Sequence, residues 1–404
     1  MNGSAEDKLW ARLMISYEKL NPEHKSMFLD FASVICEMGF VTRRTLVAIW
    51  DTPSGVRNLI NKSLIKWNND DDSLTMHDQL RDMGRHIVRG NPDEPKNRSR
   101  IWERGVEGLD IMLRNERHQH LEGLSLHTVT NEDLKRSTKS LARKGQLIGS
   151  SNRNFEKLRL LILHRSEPKV VDYCVKLCPG LNCLLLNKLQ LSPQDWQNII
   201  KKLGSYQNLR VLQMSKCPRR YLLHEHLQGF KRFDMNIFKD FGSPAARQAV
   251  RQYNAIFSMP NTMDPWFLPL PDEIGELKGL RMLSLADTLL QKLPVSVCDL
   301  SLLEQLDLTG TQISSLPDEI VKLKGLRMLS LADTLLHKLP INVCDLSLLE
   351  ELDLRGTLNI SSLPDEIGNL KGLQLLLLGS TSLDKLPESV CKLTLLTKLD
   401  LERC

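Results

Sequence analysis

The stretch LKGLRMLSLADTLL occurs at Leu277 and again, letter for letter, at Leu323. The interval is 46 residues and divides into two units of 23. Leu277, Leu280, Leu283, Leu285, Thr288, Leu290 and Leu293-Pro294 mark one unit. Leu300, Leu303, Leu306, Leu308, Thr311, Ile313 and Leu316-Pro317 mark the next. Units from Leu323, Leu346 and Leu370 follow the same template, the one at Leu346 with an extra residue, and another begins at Leu393. Aliphatic side chains at this fixed interval constrain the fold strongly. One unit buries too little surface to order itself, so each coil must complete its neighbour's core, and the units must stack.

This pattern is the leucine-rich-repeat signature, L-x-x-L-x-L-x-x-N, with Thr where Asn is usual. Within each strand the period is two, so Leu283 and Leu285 point into the core and Met282, Ser284 and Ala286 point to the concave face. Thr288, Thr311, Thr334, Thr357 and Thr381 are expected to satisfy backbone groups at the turn. While the core letters hold constant, the opposite positions vary, which suits protein recognition. The candidate binding residues there are Met282, Ser284, Gln305, Asp307, Met328, Ser330, Glu351, Asp353, Arg355, Lys398 and Asp400. The alternative is a solvated face with no partner.

Aromatics make up only 5% of the chain, so its cores must rest on Leu, Ile and Val. A net charge of +5 over 404 residues does not by itself argue for nucleic acid. The nine cysteines form no disulfide framework: the number is odd and the chain is long. Cys298, Cys344 and Cys391 occupy one slot in alternate units, and Cys174, Cys178 and Cys183 lack metal-ligand spacing, so no metal is expected. The start, MNGSAEDKLW, has no apolar signal core, and no apolar run is long enough to span a membrane. The expectation is a soluble protein of a reducing compartment.

Upstream, LRLLIL, LNCLLL and LRVLQM read as irregular repeats over residues 151–216, with a helix capped by Ser192 and opened by Pro193. Residues 217–269 break the pattern. Their basic, aromatic FKRFDMNIFKDF composition touches the nucleic-acid class, but an amphipathic insertion at the edge of the repeats is the preferred reading. Residues 270–404 are the regular repeats.

Residues 1–90 differ in kind. Asn21-Pro22-Glu23 caps a helix with Met27, Phe28, Phe31 and Ala32 at helical spacing; TRRTLVAIW and VRNLINKSLI follow as short helices. LIKWNNDDDSLTMHD reads as a two-stranded wing turning at residues 68–72, which makes the segment a winged helix. Asp70, Asp71 and Asp72 would repel phosphate, so DNA binding is not expected. Asp78 is placed to cap the next helix, and His77 beside that N-terminus suits an anion contact or a bond to a nearby carbonyl. Residues 91–150 read as a linker into the first repeats. The fold class expected is α+β in two parts, a winged helix followed by an α/β leucine-rich-repeat horseshoe.

LMISYEKLNPEHKSMFLDFA, then Met76-His77-Asp78, then GNPDEPKNRSRIW, then HLEGLSL stand in one order. In that order they resemble the plant TIR-type nucleotide-binding leucine-rich-repeat immune receptors. Lys96 stands where the family has Gly. The resemblance implies that His77 contacts the β-phosphate of ADP and senses exchange for ATP, while Asp78 holds the junction. It implies a cytoplasmic or nuclear receptor whose repeats meet a protein: a pathogen effector, a guarded host protein, or the receptor's own TIR and nucleotide-binding domains. The sequence contains no G-x-x-x-x-G-K-[S/T] loop and no TIR domain. The expectation is therefore a truncated receptor, without enzymatic activity, that holds ADP or ATP only weakly by itself. The other reading is a leucine-rich adaptor with no switch.

Overall fold

The computed structural model describes residues 5–36, 41–68, 73–90, 99–102, 105–113, 120–145, 147, 155, 157–189, 191–215 and 270–403. The chain divides into two compact units, Met1–Leu189 with Asn208–Val211, and Gln190–Gln207 with Leu212–Cys404.

The first unit opens with α1 (Ala5–Glu18) and α2 (Pro22–Asp30). As the sequence predicts, Asn21 caps α2: its side chain accepts the His24 amide at 2.7 Å, and Pro22 opens the first turn. Met27, Phe28, Phe31 and Ala32 are all buried. At Phe31 the helix widens into a π-turn, Phe31–Ile35, a change no periodicity announces. Within it the Ser33 hydroxyl donates back to the Leu29 carbonyl.

Next come α3 (Arg43–Trp50) and α4 (Pro53–Asn61). The Thr42 hydroxyl accepts the Thr45 amide at the start of α3. The second expected helix stops short, because Ser63 takes a positive φ and turns Leu64 and Ile65 into the core. β1 (Lys66–Trp67) and β2 (Leu74–Thr75) pair antiparallel as the wing, and α5 (Asp78–Arg89) completes the winged helix. Of the wing turn expected at residues 68–72, residues 69–72 lie outside the described residues.

Residues 91–150, read as a linker, hold β3 (Arg100–Ile101), α6 (Val106–Leu113), β4 (Gly123–His127) and α7 (Asn131–Arg143). β5 (Leu160–His164), α8 (Pro168–Leu177) and β6 (Cys183–Asn187) follow. β3 to β6 pair in parallel, with Ile101, Leu124, Leu161 and Leu184 in register. Strand–helix alternation gives this ladder its parallel sense. Thr130 and Asp133 form a capping box on α7, and the Thr130 hydroxyl holds the Asp133 carboxyl below its ordinary range.

In the second unit, α9 (Pro193–Leu203) carries the N-cap expected of Ser192, which Asp195 extends to a capping box. The expected insertion at 217–269 lies outside the described residues. In sequence β7 (Val211–Ser215) precedes those residues, and β8 (Met282–Ser284), β9 (Gln305–Asp307), β10 (Met328–Ser330), β11 (Glu351–Asp353), β12 (Leu375–Leu377) and β13 (Lys398–Asp400) follow them. β8 to β13 form a parallel ladder. Leu283, Leu306, Leu329, Leu352, Leu376 and Leu399 stand in register. From Leu283 to Leu376 each is fully buried. Prolines 294, 317, 340, 364 and 387 each open a 3-10 turn on the return path.

The threonines do what their slot predicts. The hydroxyls of Thr288, Thr311 and Thr334 each donate at 2.7 Å to the carbonyl three residues back, and Thr357 does the same. Just before them the backbone takes positive φ at Asp287, Gly310, Asp333 and Gly356, so every coil leaves its strand through the same tight turn.

Leu329→Ala should lower the unfolding free energy by about 2–5 kcal/mol, because it opens a cavity in the aliphatic column. Leu348→Ala, at a position 47% exposed, should cost less than about 0.5 kcal/mol. Urea denaturation of both variants checks this; equal losses would contradict the packing described.

The thiols supply a pH prediction. Burial pushes Cys298 up to about 11 and Cys344 and Cys174 up to about 12. An unfolded thiol ionises near ~8.5. Above that pH the unfolded chain releases protons that the folded chain keeps, so these groups stabilise fully below it and progressively less as pH rises toward 11. The alkaline fall in urea midpoint should be smaller in a Cys298→Ala/Cys344→Ala variant; an identical fall would contradict it.

Candidate functional site

The wing strand β2 runs straight into the segment with His77 and Asp78. His77 has extended backbone (φ −65°, ψ 140°) and is itself the N-cap of α5. Its Nδ1 accepts the Gln79 amide at 3.3 Å, and its carbonyl receives the amides of Leu80 and Arg81. Nδ1 must be unprotonated to accept, which assigns the ring proton to Nε2. The capping role expected of Asp78 therefore belongs to His77. Asp78 is the first helical residue; its carboxylate, 76% exposed, pairs with Arg81 at 2.8 Å and favours the positive helix end. His77 is exposed as well. With Nδ1 turned to the helix, its Nε2 edge lies beside a helix N-terminus, which is chemistry that suits a phosphate oxygen.

A second cluster holds the winged helix against the first parallel strands, and the sequence reading missed it. Asp30 is fully buried. Its Oδ1 accepts from Arg100 Nε at 3.0 Å; its Oδ2 accepts from Arg159 Nη2 at 2.7 Å and from Trp50 Nε1 at 3.1 Å. Arg100, 3% exposed, also donates to Glu122 at 2.9 Å and to the Ser26 hydroxyl at 2.7 Å. Burial alone would lower the Arg159 guanidinium, but the Asp30 and Glu122 charges outweigh it and hold it above its ordinary value. The signal was a carboxylate inside FLDFA, whose neighbours Phe28 and Phe31 are both core.

The third region is the strand face opposite the leucines. It is far less open than expected. Met282, Ser284, Met328, Ser330, Glu351 and Asp353 are buried, and Gln305, Asp307 and Asp400 are half-buried, while Arg355 and Lys398 stand exposed. Strands about 4.8 Å apart press these side chains against one another. Ser284 donates to Asp307 at 2.9 Å, and Thr309 and Ser330 hydroxyls meet at 2.8 Å. Asp307, Asp353 and Asp400 share a further duty: each accepts the amide two residues on, from Thr309, Arg355 and Glu402 at 3.0–3.1 Å. These are Asx turns that shape the strand exit. Arg355 also clasps Asp353 with Nε at 3.0 Å and Nη2 at 2.6 Å, and that bond holds its guanidinium above its ordinary value.

Cys174, Cys178 and Cys183 are buried, as are Cys298 and Cys344; Cys391 is exposed. Among the described residues, no group of three or more His, Cys, Asp or Glu could hold a metal. No helix among them is long and apolar enough to cross a membrane.

Residues 22–92 match the family described as the Roq1-like disease resistance protein winged-helix domain. Residues 270–357 match the leucine-rich repeat region family. In these two parts the chain is similar to plant disease resistance proteins, with a winged helix of the Roq1-like kind and a leucine-rich repeat region. TMV resistance protein N of Nicotiana glutinosa is 26% identical over 56% of this chain and 18% of its own length. Disease resistance protein RPP2A of Arabidopsis thaliana is 30% identical over 28% of this chain and 8% of its own length. The chain thus spans under a fifth of either relative. Among solved structures, a TDR receptor is similar with a TM-score of 0.43 and 16% identity, covering 78% of this chain and 48% of that one.

The winged helix and the first strands should depend on Asp30. Asp30→Asn leaves the buried Arg100 and the half-buried Arg159 with only the partly exposed Glu122 as counter-charge and should cost about 3 kcal/mol. Thermal unfolding checks this; a loss below about 1 kcal/mol, the worth of a surface pair, would contradict the buried network.

Proposed function

We propose that the chain serves a plant disease-resistance receptor in two ways. Its regular repeats bind a protein, and its winged helix senses whether ADP or ATP is held nearby. The observation that supports the sensing role is the exposed His77 capping α5, its Nδ1 accepting from the helix and its Nε2 edge left outside that bond. A side chain that touches one nucleotide state and not the other biases a two-state equilibrium. His77 would donate to an anionic phosphate oxygen in the resting state, and Asp78, through Arg81, would keep the first turn wound. The phosphate cradle would come from a nucleotide-binding module, since these residues carry no phosphate-binding loop. ADP or ATP is the cofactor of the assembled receptor, held weakly by these residues alone.

On the repeat face, burial supports different parts for the residues named from sequence. Met282, Ser284, Met328, Ser330, Glu351 and Asp353 form a floor; Arg355 and Lys398 rise from it and are the side chains a partner would read. That partner would be a pathogen effector, a guarded host protein or the receptor's own other domains, met in the cytoplasm or nucleus. Both modules are binding modules, and the role needs no catalysis by this chain. The missing phosphate-binding loop equally favours an adaptor without a switch.

His77→Ala, placed in a receptor that includes a nucleotide-binding module, should signal without its elicitor. A silent variant that accumulates normally would overturn the sensing role. Calorimetry of the 404-residue chain with ADP should find nothing tighter than about millimolar affinity; micromolar binding would overturn both the weak-holding claim and the adaptor alternative.

A further inference from the structure

We infer that α5 works as a pivoted lever, and that Trp102 is the positioning residue coupling its His77 end to the first parallel strands. The inference takes its input from the sensing role proposed above, but its test needs no nucleotide.

Three contacts along one 12-residue helix carry it. At the N-terminal end, His77 caps the first turn and is exposed. At the middle, Gly84 lies directly on the π-turn: a Cβ there would fall 2.4 Å from Ala32 Cβ and 3.2 Å from Phe28 Cε1. Only a backbone without a side chain fits so close a crossing, which makes this contact the pivot. At the C-terminal end, Arg85 and Arg89 share one helix face four residues apart. Their guanidinium carbons lie 5.6 Å and 5.4 Å from the centroid of the Trp102 ring. Trp102 is buried and follows Ile101 of β3, which pairs with Leu124 of β4.

The pivot and the strands are fixed to each other independently of α5. Asp30 sits immediately before the π-turn and holds Arg100, two residues before Trp102. A hydrogen-bonded helix of this length moves as a rod. Displacement of its first turn about Gly84 therefore reappears at Arg85 and Arg89, and the load falls on Trp102.

Hydrogen exchange of the full chain tests this. The amides of Glu122 and Gly123 donate to the Ser99 carbonyl at 2.7 Å and 3.2 Å and report on the β3–β4 junction. His77→Ala should speed their exchange about tenfold, the scale of losing a helix cap. With Arg85→Gln and Arg89→Gln already present, the same change should alter exchange by less than about twofold. Trp102→Phe should keep the His77 response, and Trp102→Leu should lose it while leaving a buried apolar side chain. A purely structural Trp102 would shift the baseline and leave the response intact. Equal responses in the native and double-Gln backgrounds, or none in either, would overturn the lever; the Arg pair decides if Trp102→Leu fails to fold. A positive cycle beside a silent His77 variant in the receptor would refute the sensor and leave the lever standing.

Discussion

Each strand from β8 to β13 is only three residues long, and what holds it in place is the leucine beneath it. Leu283, Leu306, Leu329, Leu352 and Leu376 form a column in which every side chain walls its neighbour's site. Burial of aliphatic surface between coils, not propensity within one, makes the ladder stable. The same column fixes the strand spacing, and the spacing crowds the opposite face. Packing on one side thus decides which residues on the other stay exposed: Met282 and Ser330 are buried, Arg355 and Lys398 are not.

The first unit rests on a different interaction. Asp30 gathers Arg100, Arg159 and the Trp50 indole in a space where an unpaired charge would be intolerable. Such a network adds little net stability over a well-packed apolar core, but it admits one geometry. It sets the winged helix against β3 and β4 in a single arrangement. α5, with His77 at its head, is placed by that arrangement.

What could be read in the sequence was what repeats or what is local. The leucine column was visible because its period is long and its letters constant. The Asn21 and Ser192 caps were visible because a cap and its proline are adjacent in sequence. The two-residue strand Arg100–Ile101 was not, since a strand so short has no alternation. His77 and Asp78 exchanged roles because the helix starts at Asp78, so the residue before it takes the cap. Asp30 was passed over because a carboxylate on an amphipathic helix ordinarily faces water; its partners lie 70 and 129 residues away. The burial of the strand face was hidden for the same reason: it depends on neighbours in other coils. The Asx turns of Asp307, Asp353 and Asp400 did leave a trace, an acidic residue in alternate coils, which the sequence reading assigned to a partner instead.

The most direct test of the account is whether the coils open together. The amides of Leu285, Leu308, Leu331, Leu354 and Leu378 each donate to the next strand at 2.8–2.9 Å. Hydrogen exchange of the intact chain should give these five amides one opening free energy, with the same denaturant dependence, because each leucine is half of two coils. Five unrelated opening energies, each with a small denaturant slope, would mean that the coils stand alone and that the leucine column does not hold the fold.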